Sequence, residues 1–291
     1  MKTLLMTRRQ FLKQSAVGAA IPCALSNPAS LLAAATGEKK KIPIGLQLYS
    51  VRNECAKDLP GTIAAVGKMG YKAVEFAGYH GRDAKTLRRL LDEAGLKCCG
   101  THIGLETLLG DNLLKTIEFN QVLGNQFLIV PSLPEKRRHS RQAWLDTADL
   151  FSELADKVKP QGMIVGYHNH NVEFTPMEGE VPWDTFFNRA KKEVVIQFDT
   201  GNGVAVGGHP MLFIKKHPGR VASIHLKPYS KAKPNALLGQ PEDELPWPEI
   251  FNVCETTGGT EWYIIEYESD AFPPLVSVEK TLEVMRRWGK C

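Results

Sequence analysis

The sequence predicts a single-domain α/β fold of the (β/α)8, or TIM barrel, class, and three observations predict it. Short β-rich runs alternate with helix-period segments from Ile42 to the C-terminus. The alternation repeats eight times, which at about 30 residues per unit favours a closed ring over an open doubly wound sheet. Setting aside an N-terminal address leaves residues 36–291, roughly 255 residues, the usual size of such a barrel.

Taken in order, strand 1 is expected over Ile42 to Tyr49 and the first helix over Leu59 to Met69, closed by Gly70. Strand 2 follows at Tyr71 to Phe76 and a helix at Ala84 to Ala94, closed by Gly95. Strand 3, Leu96 to His102, precedes a helix over Asn112 to Leu123 that Gly124 ends. Strand 4 is Phe127 to Pro131, and its helix, Arg141 to Val158, stops at Pro160-Gln161-Gly162. Strands 5 to 8 are expected at Met163 to His170, Val194 to Thr200, Val221 to Lys227 and Trp262 to Glu268. Their helices are Trp183 to Ala190, Met211 to Lys216, Trp247 to Thr256 and Val276 to Trp288. The loops after the strands are longer and more polar, Pro228 to Pro246 above all, and loops at that rim are expected to shape a substrate pocket.

Residues 1–35 read as an address. Arg8-Arg9 precede the mostly apolar stretch Ala16 to Leu25, and Leu31-Leu32-Ala33-Ala34-Ala35 offers a small-residue cleavage site. The segment resembles a twin-arginine (Tat) export signal, which implies a periplasmic protein. Pro22, Asn27 and Pro28 break the apolar run, so no stable membrane span is expected after cleavage. The net charge of +4 comes partly from that segment and from Lys39-Lys40-Lys41. The body is close to neutral, without the basic stripe that nucleic-acid binding needs. Self-association into a homo-oligomer is compatible with this composition. Cys55, Cys98, Cys99, Cys254 and Cys291 are odd in number and lack C-x-x-C spacing, so neither a disulfide framework nor a thiolate zinc site is expected. Cys98 and Cys99 are read as small buried residues on opposite faces of a strand. No phosphate-cradling glycine loop or G-x-S-x-G elbow is present, so a nucleotide cofactor is not indicated.

Metal-competent side chains recur at the C-terminal ends of the strands: Glu75, His102, His168-Asn169-His170, Asp199, His225-Leu226-Lys227 and Glu266. In a barrel these ends meet on one face, where catalytic groups of this fold sit. Alternation puts His168 and His170 on one face with Asn169 opposed, and pairs His225 with Lys227. Asp199 stands beside Gly201-Asn202, a turn that lifts its carboxylate to the rim, and Glu266 ends an apolar run where an unpartnered carboxylate would be costly. Two imidazoles and two carboxylates, His168, Asp199, His225 and Glu266, suit one divalent ion such as Mn²⁺, Co²⁺, Fe²⁺ or Zn²⁺.

The chain resembles the xylose isomerase-like superfamily, the sugar phosphate isomerase/epimerase group. The resemblance rests on Ile44 to Ser50, Gly70 to Glu75, Tyr167-His168-Asn169-His170, Phe198 to Asn202, Ile224 to Lys227 and Ile265-Glu266. It implies a metal held by a Glu of strand 5, an Asp of strand 6, a His of strand 7 and a Glu of strand 8. The last three carry over onto Asp199, His225 and Glu266, but strand 5 reads His-Asn-His in place of Glu-Asn-His. Two assignments stay open. Either His168 binds the metal, or His170 does so while His168 serves as base. Proton transfer is assigned to His170 and Glu266, with Lys227 and His102 near the developing charge, and substrate binding to Gln47, Tyr49, Glu75 and Glu173.

The expected chemistry is that of a metal-dependent sugar isomerase or epimerase working through an enediolate on a keto-sugar or related polyol. The alternative is a periplasmic 3-keto-glycoside lyase or hydratase, in which the enediolate expels a β-leaving group; export favours it, since phosphorylated sugars belong to the cytoplasm. A repair endonuclease would need more ligands and a basic groove. A silent sugar-binding barrel is the remaining class.

Overall fold

Each strand pairs in parallel with its sequence neighbour, and β8 closes on β1, giving the order β1-β2-β3-β4-β5-β6-β7-β8 in one closed barrel. The computed structural model describes residues 41–291, so the segment read as an export signal lies outside the described residues. The strands are β1 Ile44–Gln47, β2 Ala73–Ala77, β3 Lys97–His102, β4 Phe127–Val130, β5 Ile164–His168, β6 Val195–Asp199, β7 Ser223–Leu226 and β8 Trp262–Ile265. The helices are α1 Arg52–Lys57, α2 Leu59–Met69, α3 Ala84–Glu93, α4 Asn112–Leu123, α5 Arg141–Val158, α6 Pro182–Arg189, α7 Thr200–Val204, α8 Pro210–Lys216, α9 Trp247–Val253 and α10 Pro274–Arg287.

Local chemistry sets these bounds. α5 starts because the Ser140 hydroxyl accepts from the Ala143 amide at 3.1 Å, and its buried face, Ala143, Trp144, Thr147, Ala148, Phe151, Leu154, Ala155 and Val158, recurs at helical spacing. α2 and α4 end on Gly70 and Gly124, whose left-handed φ of 98° and 76° no branched residue adopts without strain. β1 is shorter than expected because the Gln47 side-chain oxygen accepts from the Tyr49 amide and starts a tight turn over Leu48–Val51, which runs into α1. α7 was not expected; the Asp199 carboxylate caps it by accepting from the Asn202 amide at 2.7 Å. Past α9 the chain widens into a π turn, Cys254–Gly258.

Most of the apolar core lies between sheet and helices, where Trp144, Phe151, Tyr167, Trp183, Phe186 and Phe198 are fully buried. At roughly 1.5–3 kcal/mol for each large side chain removed from water, this layer supplies most of the driving force. Inside the barrel the apolar side chains form two clusters, Ala73, Cys99 and Ile264 in one and Phe127, Ile129 and Ala222 in the other. Cys98 packs outward and Cys99 inward, and all five described cysteines are free thiols. No helix among the described residues is long and apolar enough to cross a membrane.

One irregularity positions the upper third. Along the β2–β3 pair Val74 faces Cys98 but Glu75 faces Gly100, so Cys99 is an extra residue in the ladder. A bulge shifts side-chain parity by one. Thr101 thereby turns outward, bonding Asn120 at 3.1 Å, and His102 turns inward. Gly100 accommodates the crossing, since a Cβ there would sit 2.3 Å from the Glu75 carboxylate.

Candidate metal centre

The inward side chains at the C-terminal ends of β5, β6, β7 and β8 converge. One ligand atom each from His168, Asp199, His225 and Glu266 lies within 4.8 Å of the others, and all four residues are buried. His102, His168 and His225 satisfy the same limit as a second grouping that shares two of these residues. The stacked rings of His102 and His225 are 5.3 Å apart, and His168 stands edge-on to His225 at 4.7 Å.

Each ligand candidate is held from behind. The Asp199 backbone amide donates to the Asn169 side chain at 2.8 Å, and the Asn169 amide donates back to the Asp199 carbonyl at 3.1 Å, tying β5 to β6. With Oδ1 of Asp199 spent on the helix cap, Oδ2 is buried without a hydrogen-bond partner. A buried carboxylate oxygen left orphaned is costly unless a cation meets it. His225 places Nε2 on Glu75 at 2.7 Å and Nδ1 against Glu266. The two nitrogen and two oxygen donors, the orphaned Oδ2 among them, fit a borderline divalent ion.

The electrostatics follow from burial set against pairing. Burial pushes the Asp199 carboxyl up, Lys227 and His225 only partly offset this, and it titrates at about 7. Burial opposes charge on His225, but Glu75 and Glu266 outweigh it and raise the imidazole to about 10. Burial works against ionised Glu75 and Glu266 as well, yet His102 and His225 for the first, and His225 and Lys227 for the second, hold both below the ordinary carboxylate range. His168 and His170 are pushed below the ordinary histidine range, chiefly by burial, and stay neutral near pH 7. Burial alone would depress Lys227, but Asp199, Glu266 and Glu268 carry it above the ordinary lysine range.

Above the cluster opens a cavity of about 730 Å³, walled by Tyr49, His102, His168, His170, Lys227, Glu266 and Glu268 among others. His170, His102, Lys227 and Tyr49, singled out from the sequence, therefore reach the cavity. Asp199 and His225 lie beneath its wall, fully buried, and three of the four residues assigned to substrate binding do not line it. Gln47 and Glu75 are fully buried beneath it, Gln47 donating to Glu75 at 2.7 Å, so they brace the site from below. Glu173 lies behind β5, accepting from the Tyr167 hydroxyl at 2.5 Å and from the His170 amide at 2.8 Å. Nor does the long loop Pro228–Pro246 supply any wall. Asp243 gathers it by accepting from the Gly239 amide and the Trp247 ring, and the Tyr267 hydroxyl pins the Asn235 carbonyl at 2.6 Å.

Sequence reasoning passed over three polar residues. Glu268 pairs with Lys227 at the mouth, while Gln197 and Ser223 form the floor, 2.9 Å apart. Their signal was present, since each lies two residues from a ligand candidate (Glu266, Asp199, His225) and shares its face.

A closed barrel whose C-terminal rim gathers histidines and carboxylates defines a class of (β/α)8 proteins with a metal-competent mouth. Within that class the chain belongs to the xylose isomerase-like TIM barrel family, whose model matches residues 63–288. The chain is 22% identical to an inosose dehydratase of Serratia proteamaculans, covering 72% of this chain and 82% of that one. It is 21% identical to the rhizopine catabolism protein MocC of Rhizobium meliloti, covering 72% and 74%. Among solved structures, a sugar phosphate isomerase/epimerase from Parabacteroides distasonis superposes with a TM-score of 0.74 at 24% identity, covering 84% of this chain and 98% of the other. A D-allulose 3-epimerase from Methylomonas sp. gives 0.62 at 15%, covering 85% and 97%. These structures share the fold.

Proposed function

We propose that the protein is a metal-assisted lyase of keto-sugars or cyclic keto-polyols, removing the proton α to the carbonyl and expelling the β-substituent as water or an alcohol. The observation that carries this reading is the asymmetry of the cavity wall. β8 and β7 present Glu266 and Lys227 as an ionised pair, whereas β5 presents two imidazoles held neutral. An epimerase that swaps a proton between two faces uses two matched bases. One neutral base beside a charged pair suits stepwise elimination.

His168, Asp199, His225 and Glu266 would hold a divalent ion, which would supply positive charge for the developing oxyanion. His170 takes the α-proton, and the released electron pair is drawn toward the carbonyl oxygen, where the Lys227 ammonium steadies it. The pair returns to form a carbon–carbon double bond as the β-oxygen departs, and the His170 imidazolium hands its proton to that oxygen. Tyr49, 44% exposed on the wall with the Arg52 guanidinium over its ring, offers a flat face to the substrate.

The relatives named inosose dehydratase and the sequence's His-Asn-His support this reading. Isomerase or epimerase chemistry is the second reading, favoured by Glu266 lining the same cavity as His170. Incubation with 3-keto-glucosides and keto-polyols in D2O, with and without chelator, separates the two. Metal-dependent release of aglycone or water supports the lyase; deuterium exchange with an intact β-substituent overturns it in favour of the epimerase. Working outside the cytoplasm is part of the proposal, resting on Arg8-Arg9, and an Arg8→Lys/Arg9→Lys variant retained in the cytoplasm is the expected result.

A further inference from the structure

We propose that Gln197 is a positioning residue that fixes which nitrogen of His168 and of His102 faces the cavity, making His168 a ligand through Nε2 and turning His102 Nδ1 to the cavity. The inference rests on the metal-binding reading of the site and deepens it.

The argument is a complete donor and acceptor account. Gln197 is fully buried and makes four hydrogen bonds, the most its amide can form. Its nitrogen reaches Glu75 Oε1 at 2.7 Å and Ser223 Oγ at 2.9 Å. An ionised carboxylate only accepts, so that end of the amide is the NH2. The carbonyl oxygen is then the end that meets His102 Nε2 at 2.6 Å and His168 Nδ1 at 3.0 Å. A carbonyl only accepts, so both of those ring nitrogens carry hydrogen. Glu75 gives the same instruction twice more, meeting His102 Nε2 at 3.2 Å and His225 Nε2 at 2.7 Å with Oε2. Three imidazoles thus donate downward into one floor of acceptors, and each turns its remaining nitrogen up.

The orientation matters because a neutral imidazole binds a cation through its lone pair alone, whereas a carboxylate offers oxygens without regard to tautomer. A histidine at this place on β5 works as a ligand only if the floor presents an acceptor to its other nitrogen. Gln197, two residues before Asp199 and on the same face of β6, supplies it.

The test reads hydrogen positions directly. In the metal-free protein, long-range ¹H–¹⁵N spectra of ¹⁵N-histidine-labelled chain are expected to show His168 with hydrogen on Nδ1. A wild-type spectrum with hydrogen on Nε2 overturns the inference by itself. In Gln197→Leu that signature is expected to vanish, and Co²⁺ affinity by titration calorimetry is expected to fall about 10–100-fold. Gln197→Glu keeps an acceptor for both rings while setting a like charge against Glu75. It should lose thermal stability yet keep the His168 signature, which separates tautomer control from a merely structural role. Unchanged tautomer and unchanged Co²⁺ affinity in Gln197→Leu overturn the proposal. Failure of the wild type to bind Co²⁺ at all would sink the metal reading and leave the tautomer result standing.

Discussion

The two ends of the barrel interior are lined by the same eight strands and carry opposite chemistry. At the N-terminal end Ala73, Cys99, Phe127 and Ala222 fill the space with apolar atoms, while Ile129 and Ile264 stand beside His102 and His225 in the ladder. One or two pleats further on, Gln47, Glu75, His168, Gln197, Asp199, His225 and Glu266 fill it with groups that are costly to bury. The difference teaches that the closed sheet tolerates a charged layer because an apolar layer beneath and a helix layer around it hold the strands regardless. Stability and chemistry are then separable along one axis.

Breaking the upper end should have the largest functional effect. His225→Ala is expected to abolish stoichiometric metal binding in elemental analysis and to lower kcat/KM by about 10²–10³-fold, with circular dichroism of a folded barrel. Activity surviving at the wild-type level would refute a metal centre there. Breaking the lower end should do the reverse. Phe127→Ala, at a buried position, is expected to cost about 3–5 kcal/mol in denaturant unfolding while kcat/KM at 25 °C stays within about twofold. A large activity loss there would erase the proposed separation.

pH sharpens the comparison. Asp199 titrates at about 7 in the folded protein, above its unfolded value near 3.8. The folded state therefore binds more protons than the unfolded state between those values. This group's contribution to the stability of the metal-free protein is present below about 4 and is lost as pH rises through about 7. Asp199→Asn should flatten that part of the curve, and added Mn²⁺ should offset the loss in the wild type. A smaller effect of opposite direction is expected at the N-terminal side. His217, buried beside Arg220 just before β7, is depressed to about 4, first by burial and then by Arg220. The unfolded chain takes up that proton near pH 6.5 and the folded one does not, so stability present above 6.5 falls toward pH 4 by roughly 2 kcal/mol at most. His217→Gln should lose that slope in acid denaturation, and an unchanged slope would remove His217 from the account.

Much of this was legible in the sequence. α2, α4 and α5 begin and end where periodicity and turn residues place them, because those cues are local. The strand-end polar residues identified the rim, since a polar group closing an apolar run has few other reasons to be there. The inward turn of His102 could not be read, because a bulge is decided by how β3 meets β2 and leaves no mark in strict alternation. Nor could the positions of Glu75 and Glu173. A carboxylate at or just past a strand end looks the same in sequence whether it lines a cavity or supports one from behind. The long loop Pro228–Pro246 misled for a related reason, as its length suggested a pocket wall but the half-buried Asp243 carboxylate that gathers it answers only to tertiary contacts.

The extra residue in β3 has an evolutionary reading. Side-chain parity along a strand is a counting rule, so an extra codon in an unbroken ladder would reverse the facing of every later residue. The bulge at Cys99 absorbs the extra residue instead, so Glu75 still faces Gly100 and Ala77 still faces His102. A strand can therefore change length below the mouth without moving the groups that carry its chemistry. Deletion of Cys99 is expected to restore unbroken pairing and leave His102 facing inward.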